Sequence, residues 1–433
     1  MVLAWILIER VPLHWRGVGM RLLPRITLIN TDFFATNHTN SHKLTNKQIN
    51  SLTMKKNLII FLLLIFSSAN LLAQSKAIPV FVSGNEGYKS FRIPAIVKAK
   101  NGDLLAFCEG RVNGGGDFGN IKIVLKRSVD NGKTWSDLQI VASNDSLQAG
   151  NPAPVVDLTD ARFPQGRIFL FYNTGNGHEM ELRKGHGHRD VFYKTSTDNG
   201  KTWSEPTDIT LQVNRIHQPE INPLWNFKED WRTYANTPGH ALQFHEGKYK
   251  GRIYVAANHS SGDPKPELRD YQAHGYYTDD HGTTFHLSET VPFEGSNEST
   301  AAELTDNSLM MNSRNQTGKY RIVSFSKDGG ATWDTTFVDY NLPDPICEGS
   351  LLNIGTKKKK SVLAFCNNVS QQNRDSLTLQ ISFDEGKTWK KKFLIEPKNT
   401  GYSDVMKLSK NTIGVLYEAD DYKEIRFMVV KWK

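Results

Sequence analysis

Oxygen-bearing side chains recur at a fixed spacing in this chain. The pattern Ser/Thr-x-Asp-x-Gly-x-Thr-aromatic occurs five times, at Ser128–Trp135, Ser196–Trp203, Thr278–Phe285, Ser326–Trp333 and Ser382–Trp389, with the third copy degenerate at both ends. Two chemistries could use such a box. Asp-Asn-Gly resembles the start of a calcium loop, but no ladder of alternating oxygen ligands follows and no glutamate stands at the twelfth place. The alternative is a hairpin turn in which Asp caps backbone N–H groups, Gly takes φ > 0 and the aromatic folds back beneath, so the box residues are structural. Cys108, Cys347 and Cys366 are too few and wrongly spaced for a zinc site or a disulfide framework, although one bridge could form. Asp117, within Gly114-Gly115-Gly116-Asp117-Phe118-Gly119, reads by itself as a polar turn, and any single arginine reads as a solvated surface ion pair.

Around the boxes run short β-patterned stretches, among them 121–125, 167–172, 252–256 and 413–417, without long helical periodicity. Regular turns in an all-β chain point to radial repetition. The roughly 360 residues after position 74 give about 60 per blade for a six-bladed β-propeller, enough for four strands and their loops. One blade is then unmarked by a box and is expected to be closed by both chain ends.

The N-terminal part reads differently. Met54-Lys55-Lys56 precedes an apolar run, Leu58 to Phe66, and small residues follow, so 54–73 has the layout of a secretory signal peptide. That implies a secreted, periplasmic or cell-surface protein starting after residue 69 or 73. The apolar run is too short and too diluted for a bilayer span. Residues 1–53 carry no motif and read as a mis-called upstream extension or a disordered segment. The net charge of +8 falls to about +2 without residues 1–74, so no nucleic-acid partner is implied.

The boxes resemble the Asp-boxes of the bacterial exo-α-sialidases (neuraminidases), and Phe91-Arg92-Ile93-Pro94 resembles that family's Phe/Tyr-Arg-Ile-Pro motif. Further matches follow in family order: Leu104 to Arg111, Asp117, Asn151-Pro152-Ala153-Pro154, Glu298, Asn312-Ser313-Arg314-Asn315, Tyr402-Ser403-Asp404 and Leu416-Tyr417-Glu418. The resemblance covers about residues 78–432 as one propeller domain.

It implies removal of terminal α-linked sialic acids from glycoproteins, glycolipids and oligosaccharides. The carboxylate of such a sugar calls for permanently charged, bidentate donors. By the resemblance these are Arg92, Arg314 and Arg374, with Glu418 orienting Arg92 and Arg111 contacting the C4 substituent. A carboxylate nucleophile would be repelled by the substrate's own charge, and sialidases use tyrosine instead. The resemblance makes Tyr402 the nucleophile, Glu298 its base in preference to Glu303, and Asp117 the acid/base, in a retaining reaction through a tyrosyl-sialyl intermediate. His217, Trp225, Phe227 and Trp231, in a longer insertion, either face the aglycone or pack in a connection. No cofactor, metal or stable protein partner is implied, and the chain is expected to be a monomer. The rival readings are a trans-sialidase and a non-catalytic Asp-box propeller that binds glycans.

Overall fold

The computed structural model describes residues 76–433, so the expected signal peptide and the upstream segment lie outside the described residues. Val-, Ile- and Phe-rich segments, buried on both faces in inner strands and partly exposed in outer ones, form strands that hydrogen-bond in antiparallel order. The first blade comprises Ser90–Lys98, Leu104–Arg111, Ile121–Ser128 and Gln139–Ala142; the second comprises Gln148–Asp157, Arg167–Gly175, Arg189–Ser196 and Thr207–Asp208. A single parallel contact, Ile121 with Gln148, joins these two blades into one continuous sheet. The third blade contains Trp231–Asn236, Ile253–Ser261, Tyr271–Thr278 and His286–Leu287, with the short Leu242–Gln243 beside its second strand. Ser296–Glu303, Leu309–Asn315, Tyr320–Ser326 and Thr335–Pro343 form the fourth. Gly349–Lys357, Lys360–Asn368, Leu377–Ser382 and Lys391–Glu396 form the fifth. The sixth takes Ser403–Lys407, Thr412–Ala419 and Glu424–Lys431 from the end of the described residues and Ile78–Val82 from their start, so the first and last described strands close the ring.

The hydrophobic core is divided between the blades. Leu105, Phe107 and Leu125 of the first blade pack with Ile168 and Leu170 of the second, and five further clusters span the other consecutive pairs, including sixth to first. Phe81, Phe91, Phe107, Phe169 and Phe171 are fully buried, each contributing roughly 1.5–3 kcal/mol relative to exposure.

Each box ends the third strand of its blade. In the first, Asp130 accepts from the backbone of Lys133 (3.0 Å) and Thr134 (2.9 Å) and from the Thr134 hydroxyl (2.6 Å), while Gly132 N donates to Ser128 Oγ (2.8 Å). The degenerate third box keeps this scheme through Thr278, Asp280 and Thr284. The carboxylate oxygens are taken by the turn's own donors. Two residues per turn are left-handed, Asn131 (φ 61°) as well as Gly132 (φ 86°), although the sequence pattern points only to the glycine. The glycine serves a second purpose, because a Cβ at Gly132 would lie 2.1 Å from Phe427 of the preceding blade. Gly200, Gly282, Gly330 and Gly386 meet Leu105, Phe169, Tyr254 and Met310 in the same way. The box therefore sets blade-to-blade spacing.

Candidate active site

At one end of the propeller axis, backbone irregularities present polar side chains to a cavity of about 280 Å³. The innermost strand of the first blade is bulged between Arg92 and Ala95, that of the second between Gly150 and Ala153, and that of the fourth between Ser296 and Ser299. Bulges re-aim side chains, and these three lie at Arg92, Asn151 and Glu298. Ile93 is left-handed (φ 61°), a strained conformation for a β-branched residue. Glu418 holds it there. Fully buried, Glu418 accepts from Ile93 N (2.9 Å), Arg92 Nε (2.7 Å) and Nη2 (3.3 Å), and Tyr402 N (2.8 Å). One carboxylate thus fixes a guanidinium and the backbone of a tyrosine 310 positions later (402 minus 92).

Tyr402 donates its hydroxyl to Glu298 Oε1 (2.6 Å), and Arg314 Nη1 donates both to Glu298 Oε2 (2.8 Å) and to the Tyr402 hydroxyl (3.0 Å). The guanidinium carbons of Arg92 and Arg374 lie 5.4 and 5.5 Å from the Tyr402 ring centroid. Arg374, on the connection between the second and third strands of the fifth blade, donates to the Tyr422 hydroxyl (3.2 Å) and the Ile346 carbonyl (3.3 Å). Tyr422 also lies beneath Arg92, at 4.2 Å. Burial and the adjacent Glu298 push the Tyr402 phenol well above its ordinary range, while Arg314 and Arg374 pull it down. The resting hydroxyl is therefore neutral, with its proton directed at a carboxylate.

Asp117 stands at the rim. Its Oδ1 accepts from Arg111 Nη1 (2.8 Å), and its side chain is 70% exposed. The crowded cavity mouth raises its carboxyl, but Arg111 outweighs that and holds it below the usual range. Arg111 is buried and already committed: Nε and Nη2 grip Glu109 Oε2 (3.0 and 2.7 Å), and Nη1 also donates to Gly115 O (2.6 Å).

The cavity thus brings together Arg92, Arg111, Asp117, Glu298, Arg314, Arg374 and Tyr402, with Glu418 directly behind. Glu303 is elsewhere. Its carboxylate accepts from His245 N (2.9 Å) and Glu246 N (3.1 Å) and lines a larger cavity of about 420 Å³ at the opposite end of the axis, which Lys98 and Lys407 also line. The insertion aromatics pack rather than line the site: Trp225 lies on His188 (4.6 Å), Trp231 stacks on His259 (3.6 Å) and Phe227 meets Arg215 (4.8 Å). All three cysteines are free and buried. Among the described residues one trio, Asp157, Asp160 and His281, could hold a metal ion, but Gln243 and Arg162 already donate to its carboxylates and Arg167 pairs with Asp160.

Sequence alone assigns several contributors no role. Glu109 anchors Arg111 and accepts from Asn151 N (2.9 Å). Glu179 and Arg189 of the second blade pair at 2.5 Å and, with Tyr271, form another wall. Five arginines face four carboxylates across the lining, and the three around Tyr402 can receive a planar anion beside a phenol whose proton has an acceptor.

Fold and site together define an Asp-box β-propeller with an arginine–tyrosine–glutamate cluster at one end of its axis. A family model described as a BNR repeat-like domain matches residues 102–415. A sialidase of Micromonospora viridifaciens is 31% identical over 365 residues, covering 78% of this chain and 51% of that protein. An exo-alpha-sialidase of Arthroderma benhamiae is 28% identical, covering 83% of this chain and 84% of its own length. Among solved structures, the Hadza microbial sialidase Hz136 superposes with a TM-score of 0.69 at 26% identity, covering 82% of this chain and 68% of that one. A leech intramolecular trans-sialidase, at 16% identity and a TM-score of 0.65, shares the fold. The chain belongs to the sialidase family of BNR-repeat propellers. It spans 51% and 64% of two bacterial relatives, so those proteins extend well beyond the matched part.

Proposed function

We propose that this chain is an exo-α-sialidase that releases terminal α-linked sialic acids with retention of configuration. The observation that carries the reading is the Tyr402 hydroxyl at 2.6 Å from Glu298, among Arg92, Arg314 and Arg374. The three guanidiniums receive the substrate carboxylate and so bring its anomeric carbon to the phenol. Glu298 takes the phenol proton as the oxygen attacks, and the bond to the leaving sugar breaks as Asp117 protonates the glycosidic oxygen. Because Arg111 holds Asp117 ionised at rest, Asp117 must leave Arg111 to carry a proton. A Cβ added at Gly114, Gly115 or Gly116 would meet nothing within 4 Å, so the loop that carries Asp117 has room for that excursion once the Arg111 bonds are released. In the second half Asp117 takes a proton from water, the water oxygen attacks the sialyl-tyrosine, and the phenolate recovers its proton from Glu298.

A fluorogenic sialoside should be hydrolysed by the wild type, and Tyr402→Phe should lower kcat by at least about a hundredfold. No turnover by the wild type would leave a glycan-binding propeller. Proton NMR of the fresh product should give the α-anomer first, and β-anomer first would rule out retention. Lactose in the same assay separates hydrolysis from transfer, since a transferase would accumulate sialyllactose. We also propose that the chain is exported. Protein collected outside the cytoplasm should begin after residue 69 or 73, and an intact Met54 would contradict export.

A further inference from the structure

Behind the nucleophile lies a carboxyl group to which the chemistry above assigns nothing. Glu348 precedes the innermost strand of the fifth blade and is 2% exposed. Its neighbour Cys347 packs against Tyr402 and Ile93, so segments 347–348 and 402–403 lie side by side. Glu348 Oε2 accepts from Ser403 N (2.9 Å), whereas Oε1 has no hydrogen-bond partner among the described residues. Nor does Glu348 form an ion pair there. The cation that acts on it, Arg321, is committed to Asn312 Oδ1 (2.6 Å), Asp344 (3.3 Å) and the Cys347 carbonyl. A carboxylate buried with one donor and no counter-ion is a poor anion.

We propose that Glu348 is a positioning residue for Tyr402 that works as a neutral carboxylic acid, holding the Tyr402–Ser403 backbone without placing negative charge behind the phenol. Charge develops on the Tyr402 oxygen during attack, and a second anion in this dry region would oppose it. Asp404 and Glu298 face Glu348 and disfavour its ionisation, Arg321 and the Ser403 amide favour it, and the Cys347 and Cys366 thiols lie nearby. Burial dominates and lifts the group well above the carboxylate range. The functional part of the proposal rests on Tyr402 being the nucleophile.

Infrared difference spectra of wild type against Glu348→Gln near neutral pH decide the protonation state without reference to turnover. A carbonyl band of a protonated carboxylic acid is expected, and carboxylate bands alone would overturn the proposal. In sialoside assays Glu348→Ala should lower kcat about tenfold with little change in KM, and Glu348→Gln should restore it. As pH rises, wild-type kcat should fall where the Gln variant's persists. A Gln variant as slow as the Ala variant, or an alkaline limb identical to wild type, would sink the positioning role. Should Glu348→Ala fail to fold, wild type and Glu348→Gln still decide both points. Should no form turn over sialosides, the nucleophile assignment fails while the infrared result stands.

Discussion

In the proposed reaction two demands meet at Tyr402, because the oxygen would have to become nucleophilic while its surroundings keep it a neutral phenol. The geometry reconciles them by placing the proton acceptor, Glu298, at 2.6 Å and a guanidinium at 3.0 Å, so charge can form on the oxygen as the proton leaves. Glu298→Gln keeps the shape and removes the base; kcat should fall by about 10²–10⁴ with KM little changed in steady-state assays. Arg92 has a different task. Its Nε and Nη2 edge is spent on Glu418, and the remaining Nη1 has no hydrogen bond among the described residues. Lysine cannot hold Glu418 bidentately and still reach an anion, so Arg92→Lys should raise KM about tenfold or more, measurable with the same substrate.

The bulged inner strands and the boxed turns are the elements that place these residues. The boxes are legible because all their partners lie within a few residues of one another. Phe91-Arg92-Ile93-Pro94 is legible as a motif, but nothing in it announces a left-handed isoleucine, since the carboxylate that stabilises it is Glu418, at the far end of the chain. Glu348 was unreadable for the same reason, an ordinary glutamate whose meaning depends on a chain segment 55 residues away. Glu109, although inside the matched stretch Leu104 to Arg111, gave no hint of its bond to Asn151 N, 42 residues on. The insertion aromatics were ambiguous because loop packing and ligand contact draw on the same residue types, and here packing won. Gly200 tests the element scale. Alanine there would force φ +79° on an L-residue and drive a Cβ to 2.4 Å from Leu105. Gly200→Ala should cost about 1–3 kcal/mol, seen as a lower urea midpoint at unchanged m-value.

Over the whole molecule the five boxes repeat one electrostatic device. Asp130 is held down to about 2, chiefly by the Thr134 hydroxyl, and Asp198 and Asp280 reach about 2 because their turn donors outweigh the effect of burial. A carboxyl depressed on folding adds stability that is present above its unfolded value, near 4, and is lost as pH falls towards the folded one. The thermal midpoint should therefore drop between about pH 4 and pH 2, and an Asp198→Asn variant should show a shallower drop in a calorimetric pH series. Closure of the ring has a further consequence, for the order in which the protein is made. The strand Ile78–Val82 leaves the ribosome first among the described strands, yet its partner Glu424–Lys431 leaves last. The sixth blade cannot be completed until that last strand of the ring has been made. Until it emerges, the opening strand waits with its ladder hydrogen bonds to Glu424–Lys431 unmade and Phe81 without Ile425 and Phe427, an unpaired edge that a chaperone would have reason to shield.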